Sequence, residues 1–182
     1  MKLGKFDKKK YVFKPYSEEY PKLFDKERTE ILKVLPKRTK IEHVGSTSVP
    51  GLGGKGIIDI AIRTSKPKLK KSLLSLQKLG FEYHPDHPGN DRRWFMHKII
   101  NEKGKERRVH VHLCLTKEFW DSFITFRDYL RKNKRTRNVY AKIKKEGAKK
   151  AKGDAEEYRR HKSIFLKKIA GRAREKLSNS NI

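Results

Sequence analysis

The segment His43-Val44-Gly45-Ser46-Thr47-Ser48-Val49-Pro50-Gly51-Leu52-Gly53-Gly54-Lys55 combines small residues, hydroxyls and a terminal lysine. Glycines let a backbone approach a ligand closely, and successive exposed N–H groups favour anions, so Gly45, Ser46, Thr47 and Lys55 read as a phosphate cradle. The spacing is not that of a P-loop, because Gly51 to Lys55 is too short and Gly56 follows the lysine. An ordinary tight connection is the competing reading of the loop.

Asp59 stands in the run Ile57-Ile58-Asp59-Ile60-Ala61-Ile62. Strand alternation puts Ile58, Ile60 and Ile62 on one face and Ile57, Asp59 and Ala61 on the other. A carboxylate in so apolar a strand is costly to bury unless a cation, a metal or hydrogen-bond donors meet it. Asp59 is therefore a candidate metal ligand or catalytic group, or else a buried acid held by arginine or by loop N–H groups. On a later strand Val109, Val111, Leu113 and Leu115 share one face, and His110, His112 and Cys114 share the other. Two histidines at i and i+2 project side by side and suit metal binding, phosphate binding or proton transfer; the alternative is a pair of partly exposed strand histidines. Arg92, Arg93 and Lys98 bring positive charge next to them. A cleft holding Asp59, the histidines and these cations would suit a nucleotide or another phosphorylated ligand.

The elements that must position these groups follow from periodicity. Tyr20, Leu23, Phe24, Ile31, Leu32 and Leu35 recur at helical spacing, with Ser17 as N-cap and Pro36 as a stop. Residues 41–44 and 57–62 read as strands flanking the Gly-rich loop. Pro67 at the first helical position, five leucines and Gly80 describe a second helix, and residues 81–84 resume the sheet. After a turn-rich stretch (85–91), residues 93–100 and 108–115 form a hairpin around Asn101-Glu102-Lys103-Gly104. The remainder is helical, with apolar faces around Phe119 to Leu130, Val139 to Ile143, and Tyr158 to Ile169. Residues 1–14 read as a basic arm, 15–172 as one domain and 173–182 as a flexible tail.

Among 182 residues, 48 Lys and Arg against 21 Asp and Glu give a formal charge of +27, a field that attracts phosphate-bearing partners. Between Arg131 and Ile182 alone there are 19 basic and 5 acidic residues, a pattern open to non-specific RNA or DNA binding. The single cysteine, Cys114, fits a reducing compartment. No run approaches the roughly 18 apolar residues of a membrane span, so a soluble, cytoplasmic protein with no membrane partner is expected.

The string from Ile41 to Leu52, followed by Lys55 and Ile57-Ile58-Asp59-Ile60, resembles the signature of the GrpB family (UPF0157). The similarity continues through His110-Val111-His112-Leu113, the segment Phe126 to Arg131, Tyr140 with Lys144, and Tyr158 with Lys162 and Phe165, from roughly Tyr16 to Ala170. This resemblance implies an α/β (α+β) fold of the nucleotidyltransferase type: a mixed β-sheet flanked by helices, with a helical C-terminal part. In that superfamily a Gly-Ser pair precedes, by about a dozen residues, two carboxylates at i and i+2, with a third on a later strand, and these hold two Mg²⁺ ions. Gly45-Ser46 and Asp59 match; the second carboxylate position is Ala61, and the strand from His110 to Leu115 carries no acid. Gly56 also departs from the proline that the family carries after the lysine.

Two functions follow as expectations. In the first, an enzyme binds a nucleotide or related phosphorylated molecule, with Asp59, His110 and His112 catalytic and one Mg²⁺ or Mn²⁺ held by Asp59 and Glu42. Gly45, Ser46 and Thr47 then contact phosphate while Lys55 and Arg93 neutralise it. The alternative is a non-catalytic accessory protein, favoured by Ala61, or an RNA-binding protein acting through its basic surface.

Overall fold

A computed structural model describes residues 12–87 and 92–152 continuously, and residues 154, 157, 158, 160–163, 165, 166, 169 and 171 beyond them. The chain runs α1 (Glu19–Val34), β1 (Ile41–Val44), β2 (Ile58–Arg63), α2 (Lys66–Gln77), β3 (Glu82–Tyr83), β4 (Arg93–Glu102), β5 (Lys105–Cys114), α3 (Lys117–Lys132) and α4 (Lys134–Ala151). The strands form one mixed sheet in the order β1-β2-β5-β4-β3, in which β2 and β5 are parallel and the other pairs antiparallel. The expected α/β architecture is therefore present, and the described residues from 157 to 171 are helical. The expected tail, 173–182, and part of the 85–91 turn lie outside the described residues.

The alternation read from sequence is realised. Ile58, Ile60 and Ile62 on β2, with Val109, Val111 and Leu113 on β5, are wholly buried under α1 and α2. Each such side chain contributes about 1.5 to 3 kcal/mol by leaving water, which fixes the register of the two central strands. The opposite face carries Asp59, Ala61, His110, His112 and Cys114. There α3 covers Val44, Ala61, His112 and Cys114, through Phe119, Trp120, Phe123 and Ile124.

Boundaries differ in instructive ways. Lys14, assigned to the arm, pairs with Gly54 through Lys14 N–H to Gly54 O (2.6 Å) and Gly54 N–H to Lys14 O (2.9 Å). A Cβ on Gly53 would strike the Phe13 ring, so the loop and the end of the arm are packed as one unit. The helix α1 starts at Glu19, with the Ser17 hydroxyl accepting from its N–H at 3.3 Å. The hairpin is longer than its sequence pattern suggested. Lys103 (φ 52°) and Gly104 (φ 73°) alone make the turn, the two-residue type with positive φ at both positions that matches strand twist.

Arg127 fastens α3 to the sheet edge. Its NH1 donates to Glu42 Oε2 (2.6 Å) and His43 O (3.0 Å), while Nε donates to Asp128 Oδ1 (2.8 Å). The guanidinium is buried, but the side chains of Glu42 and Asp128 are 43% and 42% exposed and can rehydrate if it is removed. The expected cost of Arg127→Met is therefore about 2 kcal/mol, that of one charged hydrogen bond to buried backbone, measurable by urea unfolding.

Candidate functional site

Gly45 closes β1 with φ 70° and ψ −167°, and Ser46 to Ser48 form one 3₁₀ turn. A Cβ on Gly45 would collide with Asp59 Oδ2, so the glycine is required by the approach of the loop to the aspartate. Asp59 Oδ1 lies 3.2 Å from His110 Nδ1 and 3.7 Å from His112 Nε2. Burial raises the Asp59 pKa, but the two imidazoles together outweigh it and hold the carboxyl below the usual carboxylate range.

Proton positions follow from the partners. Arg93 NH1, which can only donate, meets His112 Nδ1 at 3.1 Å. His112 is accordingly neutral with its proton on Nε2, aimed at Asp59. Its pKa is lowered to about 4, by burial first and by Arg93, against the pull of Asp59. A carboxylate accepts only, so His110 donates its Nδ1 proton to Asp59. Its ring stands edge-on to Phe95, with centroids 4.9 Å apart. Asp59 and His110 thus form an oriented acid–imidazole pair able to take a proton from a bound hydroxyl or water.

The loop has a second side. A Cβ on Gly54 would stand 2.5 Å from Ser46 Oγ and 2.9 Å from Lys144 Nζ, so only glycine lets the hydroxyl and the amine both pack this closely against the loop. Lys144, on α4, is 3% exposed, and among the described residues its amine meets only the Tyr140 ring, 4.9 Å away. Burial, then Lys162 and Lys55, push its pKa down to about 7, while Asp59 pulls it up. Lys55 and Lys162 lie over the Tyr158 ring at 4.7 and 5.5 Å. Lys55 and Lys162 thus both act electrostatically on the Lys144 amine, as does Asp59 with the opposite sign.

The residues singled out in the sequence divide accordingly. Asp59, His110, His112, Gly45 and Ser46 lie together, and Lys55 joins the lysine group. Arg93 is not at the loop; it orients His112 from behind and lies over the Phe119 ring at 5.4 Å. Thr47 is buried, donating to Ile57 O at 2.8 Å and meeting His43 Nε2 at 3.0 Å, so its hydroxyl braces the loop. Glu42 is directed to Arg127 and lines a separate cavity of about 400 Å³ with Phe24, His43 and Arg131. Cys114, fully buried and with its thiol pKa raised to about 12, is not a nucleophile. Lys144 was missed as a site residue, although its position on the apolar stripe of Tyr140, Gly147 and Ala151 marks a lysine that solvent does not explain.

The two depressed histidines set an acid limit. Burial takes His43 down to about 4, as it does His112, so the unfolded chain binds more protons and stability falls as pH drops from about 6.5 to about 4. Urea unfolding at pH 5.5 is expected to show about 2 kcal/mol less stability than at pH 7, and His112→Asn should halve that loss.

A mixed sheet with this order, a Gly-Ser turn packed against an aspartate on the following strand and helices on both faces define a protein of the nucleotidyltransferase-like fold. Within that class the chain belongs to the GrpB family, whose model, GrpB protein, matches residues 10–172. A UPF0157 protein of Halalkalibacterium halodurans is 35% identical over 160 residues, covering 87% of this chain and 80% of that one. The glutamate-rich protein GrpB of Alkalihalophilus pseudofirmus is 28% identical, covering 90% and 95%. The crystal structure of GrpB from Enterococcus faecalis superposes with a TM-score of 0.78 at 28% identity, covering 91% and 99%. The Cid1 poly(U) polymerase, solved with MgGTP, shares the fold at a TM-score of 0.51 and 13% identity, over 74% of this chain and 44% of that one. Among the described residues no helix is long and apolar enough to cross a membrane.

Proposed function

We propose that the cleft between β2 and α4 binds a phosphorylated small molecule of the nucleotide class. Phosphate oxygens would accept from Ser46 Oγ, Lys144 Nζ and loop N–H groups, with the Asp59–His110 pair at the reacting end. The observation that carries this reading is Lys144, a buried lysine whose amine has no hydrogen-bond acceptor among the described residues and packs with the Ser46 hydroxyl against Gly54. A buried ammonium in that state costs free energy unless an anion completes it.

Two-metal nucleotidyl transfer does not suit these residues. Mg²⁺ needs several oxygen ligands. Here Asp59 Oδ1 is taken up by imidazoles, the next carboxylate position is Ala61 under α3, and Glu42 is held by Arg127. Lys144, Lys55 and Lys162 would supply as protein side chains the positive charge that a phosphate chain requires. Calorimetric titration in EDTA is the test. ATP and inorganic triphosphate are expected to bind and adenosine not to bind; equal binding of adenosine, or no heat from either phosphate compound, would refute the proposal.

A second reading rests on α4, where Lys134, Arg135, Lys142, Lys145, Lys149 and Lys150 are exposed while Tyr140 is buried. Such a surface would grip an RNA backbone without stacking its bases, and the logarithm of affinity would fall linearly with that of salt. A flat salt response would count against it.

A further inference from the structure

We propose that Glu82, His84 and His97 form a binding site for one divalent transition-metal ion of the zinc type. Their donor atoms all lie within 4.8 Å of one another, and among the described residues no other trio of metal-competent side chains gathers in this way. The trio adjoins the Asp59–His110 pair, because His97 is the cross-strand neighbour of His110, but it shares no donor with that pair and does not depend on the phosphate reading.

Its geometry is built by the short edge strand. Glu82 on β3 and His84, the residue just past its end, are two apart, the spacing that puts side chains of an extended backbone on one face, and the register pairs Glu82 with His97 on β4. His84 prolongs the pairing by donating its N–H to Phe95 O at 3.1 Å. The strand is anchored on its other side by buried Phe81 and by Tyr83 against Trp94, ring centroids 4.8 Å apart. A pairing of only two residues is thereby held rigidly enough to fix two donors.

The donor chemistry selects the ion. Two imidazole nitrogens and one carboxylate are the set of zinc centres that keep a coordination position open, whereas Mg²⁺ prefers an all-oxygen shell. His84 Nε2 and His97 Nδ1 stand 2.5 Å apart with ring centroids 4.6 Å apart. At that separation the two nitrogens share at most one proton, so a lone pair faces the point where an ion would sit. A tetrahedral ion bound by both needs about 3.3 Å between them, which a small opening of the rings provides.

The test uses untagged full-length protein, stripped with EDTA and titrated with Co²⁺ by visible absorption, then with Zn²⁺ in competition. One tightly bound equivalent is expected, displaced by Zn²⁺, with affinity reduced at least about tenfold in Glu82→Gln, His84→Ala and His97→Ala. His161→Ala should leave it unchanged. Glu82 is exposed, so Glu82→Gln keeps the test valid if a histidine variant fails to fold. Binding that survives Glu82→Gln and His84→Ala undiminished, that is lost instead in Asp59→Asn, or that exceeds one weak equivalent overturns the proposal.

Discussion

Lys144→Met is expected to yield a more stable protein that no longer holds phosphate. Methionine keeps the apolar stem against Tyr140 and removes an amine whose burial is offset by no hydrogen-bond acceptor among the described residues. The folded pKa of about 7 lies below the unfolded value of 10.5, so the penalty on folding is fullest below about pH 7 and fades as pH rises toward 10.5. Thermal unfolding should therefore show a gain of roughly 1 to 3 kcal/mol at pH 7 that shrinks by pH 9. In the same variant triphosphate binding should weaken about 100-fold, the value of one charge-assisted hydrogen bond in a water-poor site. Stability and binding moving in opposite directions is the signature of a residue kept for function at a cost in folding. A Lys144→Met protein that is both less stable and fully able to bind would contradict both parts.

Gly45→Ala is expected to lose about 3 kcal/mol or more in urea unfolding. Part of this is backbone strain, because φ of 70° with ψ of −167° is a region that residues with a Cβ scarcely occupy. The rest is steric, since the new methyl falls on Asp59 Oδ2. The two parts separate in a double-mutant cycle: in an Asp59→Gly background, which removes the Oδ2, Cγ and Cβ contacts together, Gly45→Ala should cost only about 1 to 2 kcal/mol. Equal costs in both backgrounds would mean that the loop does not rest on the aspartate.

The sheet and its site were legible in sequence to the extent that alternation and local chemistry decide them. Asp59 opposite the isoleucine face, the His110–His112 face and the Gly-Ser turn all follow from a period of two and from glycine's freedom, and they meet as that pattern implies. What escaped depends on partners distant in the chain. Arg93 looked free to reach a phosphate, yet a strand position opposite Cys114 sets it behind His112 instead. Glu42 shares a face with Asp59, but Arg127, 85 residues away, draws its carboxylate elsewhere. Lys144 sits in a stretch so rich in lysine that one buried member is hidden by its exposed neighbours. The Glu82, His84 and His97 group was unreadable for the same reason, since only the β3–β4 register brings a Glu-x-His pair beside a histidine 13 residues on.

The cleft reading stands or falls with the Lys144 amine, which NMR can observe at its own Cε and Nζ nuclei. In the free protein it should titrate near pH 7, and saturation with inorganic triphosphate should raise that midpoint by more than about one unit as a phosphate oxygen takes the place of the missing acceptor. A Lys144 amine that titrates near its ordinary value in the free protein, or that does not respond to triphosphate, would contradict the account.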